Sequence, residues 1–227
     1  MLENIFDFFV VTISDESGIS YAPTRAGNIG LFLLIMILLV ALASFSGRNM
    51  KLKVKQLVFA AMSMTLAVVT SFLKITSLPQ GGSMTLFSMF FICFVGYLYG
   101  AKIGLITGIA YGLLDLILGP YIVGPIQLLI DYPLAFGALG LAGFFSNEKN
   151  GAVKGYILGV FGRYIFHVLS GIIFFGSAAG SGQSVVTFSL IYNATYILPE
   201  AIMTVVILSI PQVKNGLAQV KKMANQA

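Results

Sequence analysis

Asp131, His167 and Asn193 are the residues of this 227-residue chain best equipped for recognition chemistry. Each lies inside a different long apolar stretch of a sequence that is only 9% charged, and His167 is its only histidine. An ionisable group within a bilayer costs roughly 3 kcal/mol or more unless it faces a partner, a cavity or a ligand. A carboxylate, an imidazole and a carboxamide together supply negative charge, a ring that stacks or hydrogen-bonds, and a paired donor and acceptor. That set suits a small cationic or amino-bearing heteroaromatic ligand. Gln127 precedes Asp131 by four residues and shares its helix face, and Tyr132 adds a ring and a hydroxyl beside it. Phe188, Tyr192 and Tyr196 form a stripe at steps of four around Asn193. For each residue a purely structural role stays open: a carboxylate or imidazole bonded across helices, or an aromatic stripe buried in the core. Arg163 and Glu200 are expected to form a structural ion pair.

No metal or cofactor site is expected. One histidine and one cysteine, Cys93, offer neither a metal-ligand pattern nor a disulfide. No catalytic residues are assigned. An intramembrane hydrolase using Asp131, His167 and Ser170 is the rival reading from another class. It is weakened because Ser170 is only three residues from His167 and no nucleophile motif accompanies it.

The elements that must position these groups follow from composition. Hydrophobic residues make up 58% of the chain and the mean hydropathy is +0.95, which points to an all-α membrane protein. Seven spans are expected, at about 29–46, 56–77, 84–100, 102–119, 123–145, 153–176 and 185–210, each near the roughly 20 residues a crossing helix needs. Basic residues sort the loops: Arg48, Lys51, Lys53 and Lys55, then Lys102, then Lys149 and Lys154, then Lys214, Lys221 and Lys222 fall on alternate connections. Those connections are expected in the cytoplasm, with the N-terminus outside and the C-terminus inside a cell membrane. The net charge of +5 sits at segment ends, so a nucleic-acid surface is not expected. The acidic N-terminal tail lacks the basic start of a secretory signal.

Three regions result: 1–54, an outer tail, an extra transmembrane helix and a basic linker; 55–211, a six-helix substrate-binding domain; and 212–227, a basic cytoplasmic tail. Gly96, Gly100, Gly104, Gly108 and Gly112 recur at steps of four, as do Gly151, Gly155 and Gly159. Such spacing lets helix backbones approach closely, for tight packing or for a sliding surface. Pro79, Gln80, Gly81, Gly82 and Ser83 form a polar, flexible outer loop, readable as a plain turn or as a lid.

Four ordered strings carry a resemblance: LPQGGSMTLFSM (78–89), PIQLLIDYPLAF (125–136), RYIFHVLSGIIFF (163–175) and YNATYILPE (192–200). Over about residues 55–211 the chain resembles the thiamine-specific substrate-binding (S) components of energy-coupling factor (ECF) transporters, the ThiT family. The resemblance implies a six-helix S-component-like bundle, here with one extra N-terminal helix, that binds thiamine at its outer face. It implies partners too: a transmembrane coupling subunit and two cytoplasmic ATPase subunits. The family's acidic pocket residue falls on Asp131, where glutamate is usual, and the neighbouring aromatic on Tyr132. Its histidine falls on His167 and its asparagine on Asn193, with Gln127 and Tyr192 beside them. The family's pocket tryptophan falls near Phe175 and a tyrosine on Phe188, and this chain has no tryptophan. The family's docking face for the coupling subunit falls on Ala61 and Thr65. These departures leave open another small vitamin, such as pyridoxine or hydroxymethylpyrimidine.

Overall fold

The computed structural model describes residues 52–180 and 182–226, together with 10–15, 18–27, 29, 30 and 33. Apart from 29, 30 and 33, the extra span expected at 29–46 therefore lies outside the described residues. Near the start, strands β1 (Val10–Asp15) and β2 (Gly18–Pro23) pair antiparallel. The helices are α1 (Val54–Ser71), α2 (Ser88–Tyr99), α3 (Ala101–Leu118), α4 (Pro125–Phe145), α5 (Gly151–Phe174), α6 (Val185–Ser209) and α7 (Pro211–Asn225). Strands β3 (Lys74–Ser77) and β4 (Ser83–Thr85) form a small hairpin between α1 and α2.

Five of these helices, α1 and α3 to α6, are long and apolar enough to cross a membrane. α2 is apolar but has 12 residues, about 18 Å at 1.5 Å per residue. The hairpin leads into α2. Backbone groups at this junction that are outside the helix need partners within the protein, and Glu200 of α6 supplies them. Its carboxylate accepts the Thr85 hydroxyl at 2.7 Å and the backbone N–H groups of Thr85 and Met89, each at 3.2 Å. A carboxylate over the first turn of α2 also complements the helix dipole. The expected Arg163–Glu200 ion pair is thus corrected. Glu200 caps α2, and the Arg163 guanidinium lies 4.1 Å from the Phe136 ring centre.

The glycine ladders pack α4 against its neighbours. A methyl group placed at Gly104 would fall 2.8 Å from the Gly140 carbonyl oxygen, and one at Gly112 2.5 Å from the Tyr132 carbonyl oxygen. Side chains larger than hydrogen would push α3 off α4. On α1 the small residues divide: Ser63 and Ala67 are buried, whereas Ala61 and Thr65 face outward.

α4 is not a uniform helix. Pro133 cannot donate a backbone hydrogen bond, and the chain widens over Ile130–Leu134 so that Ala135 N–H reaches the Ile130 carbonyl, five residues back. α7 lies across one end of the bundle. Val213 and Leu217 pack on the core, Asn225 Nδ2 donates to the Leu98 carbonyl at 3.1 Å, Lys55 Nζ to the Gln226 carbonyl at 3.1 Å, and Lys221 Nζ to the Ser146 carbonyl. The region read as a basic tail is therefore an amphipathic helix.

Candidate functional site

The opposite end of the bundle encloses two adjoining cavities. The larger, about 300 Å³, runs from Lys74 and Leu118 inward to Met89 and Glu200. The smaller, about 120 Å³, is lined by Gln127, Asp131 and His167. Asp115, Tyr121, Tyr132, Phe136, Arg163 and Tyr196 line both.

Asp131 and His167 meet in the smaller cavity, with Oδ1 and Nδ1 3.3 Å apart and both side chains largely buried. Gln127, itself fully buried, fixes Asp131 by donating from Nε2 to Oδ2 at 2.7 Å. The same nitrogen donates to the Tyr121 carbonyl at 3.1 Å, and Oε1 accepts Val123 N–H at 3.0 Å. On the other edge of the imidazole, Arg163 Nε donates to His167 Nε2 at 3.2 Å. Arginine can only donate, so Nε2 carries the lone pair and the ring proton sits on Nδ1, facing Asp131 Oδ1. That Nδ1–H is the only donor near the buried Oδ1 among the described residues, at a longer distance than the Gln127 contact to Oδ2.

Tyr132 is held by its hydroxyl, which accepts Tyr121 N–H at 2.8 Å. Asn193 sits at the edge of this site, where α6 meets α5. Its Nδ2 donates to the carbonyls of Ser189 at 2.9 Å and His167 at 3.2 Å, while Oδ1 accepts the Tyr196 hydroxyl at 2.7 Å. Both ends of the carboxamide are engaged, so it braces α6 against α5 and sets the angle of Tyr196. It borders a recess of about 40 Å³ with His167, Phe175, Phe188 and Tyr192.

The 79–83 segment is a short turn closing the β3–β4 hairpin, with Leu78 N–H on the Gly82 carbonyl at 2.7 Å. The Tyr192 hydroxyl latches it, accepting Gly82 N–H at 3.0 Å and donating to the Pro79 carbonyl. Gly81 has φ +84° and packs against the Tyr121 ring, and a methyl group at Gly82 would fall 2.6 Å from the Tyr192 hydroxyl. The turn closes down on the cavities only because both residues lack side chains.

Sequence reasoning overlooked Asp115, Tyr121 and Arg163 as cavity residues. Asp115 carried a usable signal, since it too is an ionisable residue in an apolar span. Tyr121 follows a Gly-Pro turn and gave none. Ser170 Oγ has no hydrogen-bond partner among the described residues, and His167 Nε2 is taken by Arg163, so no serine–histidine pair forms.

An apolar helical bundle with an aromatic-walled polar cavity at one end is a multi-pass membrane protein with room for a small molecule. A model of the thiamine transporter protein family (Thia_YuaJ) matches residues 57–219, and the chain belongs to that family. It is 38% identical over 146 residues to the thiamine transporter ThiT of Bacillus subtilis, an alignment spanning 58% of this chain and 76% of that one. Against the ThiT of Lacticaseibacillus paracasei it is 32% identical over 121 residues, spanning 46% and 60%. The solved structure of ThiT from Listeria monocytogenes superposes with a TM-score of 0.59 at 25% identity, covering 70% of this chain and 96% of that one. These relatives are named transporters, and the chain is a transport protein, not an enzyme.

Proposed function

We propose that this protein is the substrate-binding subunit of an ECF-type, ATP-driven vitamin importer and that its ligand is thiamine. The observation that carries the reading is the buried Asp131–His167 pair, held by Gln127 and Arg163 in a cavity under the turn. The aminopyrimidine of thiamine offers an amino donor to Asp131, whose Oδ1 keeps a lone pair beside the His167 contact. Its thiazolium, a permanent cation, suits the faces of Tyr121, Tyr132, Phe136 and Tyr196, each cation–π contact contributing roughly 0.5–2 kcal/mol. Phe175, Phe188, Tyr192 and Asn193 wall the recess behind, and Gln127 positions the carboxylate.

In this proposal the cavity end faces outward and the α7 end lies in the cytoplasm, as the lysines around α7 favour. Thiamine enters from outside and the 79–83 turn closes over it. A coupling subunit docks on the outward face of α1 at Ala61 and Thr65, and two ATPase subunits supply the energy. The chain carries no phosphate-binding loop of its own.

Equilibrium binding of labelled thiamine to the purified protein tests the reading. Saturable binding displaced by unlabelled thiamine, and not by equal pyridoxine, supports it; the absence of binding at micromolar thiamine removes it. Uptake into vesicles that requires the coupling subunit, the ATPase subunits and ATP would support the importer arm, and uptake by this chain alone would overturn it.

A further inference from the structure

Asp115 stands where the two cavities join, lines both, and makes no hydrogen bond or close ion pair among the described residues. The other charges around the joined space are accounted for. Glu200 is occupied by the donors of Thr85 and Met89. Arg163 is stacked on Phe136 and bonded to His167. Lys74 stands at the outer mouth, and Asp131 belongs to the smaller cavity. By formal charge, three carboxylates thus face two cations among the described residues lining the space, with His167 neutral. The space is short of one positive charge, which a ligand bearing a single permanent cation supplies. A second, anionic group on the same ligand would enter beside Asp115 and restore the imbalance, in surroundings where like charges are poorly screened.

We infer that Asp115 is a specificity-determining residue: it accepts a hydroxyl on the arm of a cationic heteroaromatic ligand and refuses the same arm when it ends in phosphate. The inference rests on the proposed thiamine reading and extends it, since the arm of thiamine ends in a primary alcohol and its phosphate esters end in a dianion. A hydroxyl donates to the carboxylate. A phosphate has no proton to spare for it at neutral pH and meets a like charge instead. Specificity here comes from a repulsive element built against the competitor.

Equilibrium titration with thiamine and with thiamine monophosphate tests this. In the natural protein the monophosphate is expected to bind at least about a hundredfold more weakly. Asp115→Asn, which keeps the shape and removes the charge, is expected to narrow that ratio by about tenfold or more. Asp115→Glu, which keeps the charge, should leave the monophosphate the weaker ligand. Equal binding of the two ligands to the natural protein overturns the inference, and so does an unchanged ratio in a folded Asp115→Asn variant. If that variant does not fold, the natural ratio and the Asp115→Glu variant decide. Thiamine binding without discrimination removes this inference alone, whereas no thiamine binding at all removes the underlying reading with it.

Discussion

Asp131 has one oxygen on Gln127 at 2.7 Å and the other facing His167 at 3.3 Å. A carboxylate buried with few donors gains from a further one, so a ligand's N–H groups are favoured there. Asp131→Asn is expected to weaken thiamine binding by about a hundredfold, as charge-assisted hydrogen bonds contribute roughly 1.5–3 kcal/mol; calorimetric titration checks it. Asn193 should behave differently. Its replacement by alanine strands the Tyr196 hydroxyl and unties α6 from the His167 carbonyl. About 2 kcal/mol of stability should be lost, read as a lower melting temperature in detergent without ligand. Tyr192→Phe removes the latch on Pro79 and Gly82. Thiamine release should quicken by about tenfold, the equivalent of one lost hydrogen bond of roughly 1.4 kcal/mol, seen in a dissociation time course. Asp131 and His167 were legible because an ionisable residue in an apolar span demands an explanation. Asn193 was legible as important but not as a brace, since a carboxamide in sequence does not reveal which of its ends is already engaged.

Among the elements, the long helices were readable from hydropathy alone, with boundaries off by a few residues. The β3–β4 hairpin was not. Strands of four and three residues are too short to show alternation, and their glycines and prolines read as loop. α7 escaped because its lysines outweigh its apolar positions in a running average. The spacing of Val213, Leu217, Val220 and Ala224 at helical intervals was available and went unused. The expectation that Arg163 and Glu200 pair failed for a related reason: the need of α2 for an acceptor is invisible until its shortness is known. The glycine ladder, by contrast, does in space what its spacing suggested. Gly112→Val should drive α3 away from the Tyr132 carbonyl and cost about 1–3 kcal/mol or more, as overpacking does. Because Tyr132 lines both cavities, thiamine affinity should fall with the melting temperature in this variant, measured on the same preparation.

At the scale of the molecule, ligand chemistry and basic charge occupy opposite ends of one bundle. The enclosed cavities lie under the β3–β4 turn, and α7 ties the far ends of α1, α2 and α4 together through Lys55, Leu98 and Ser146. The proposed orientation can be read with single cysteines. Cys93 is buried and should resist a charged maleimide. In a Cys93→Ala background, Gln183→Cys is expected to label from outside intact cells, and Gln226→Cys only after the membrane is opened. The reverse pattern would invert the assignment.

The widened turn at Pro133 has a consequence for how such a protein can change. An added residue in a turn advances the helical phase by about 100°, so α4 is in effect two half-helices set to different clocks. The half nearer the β3–β4 turn directs Gln127, Asp131 and Tyr132 to the cavity; the other half turns Gly140 and Gly143 toward α2 and α3. Substitutions that retune what is recognised can therefore accumulate on one half without disturbing the scaffold contacts of the other.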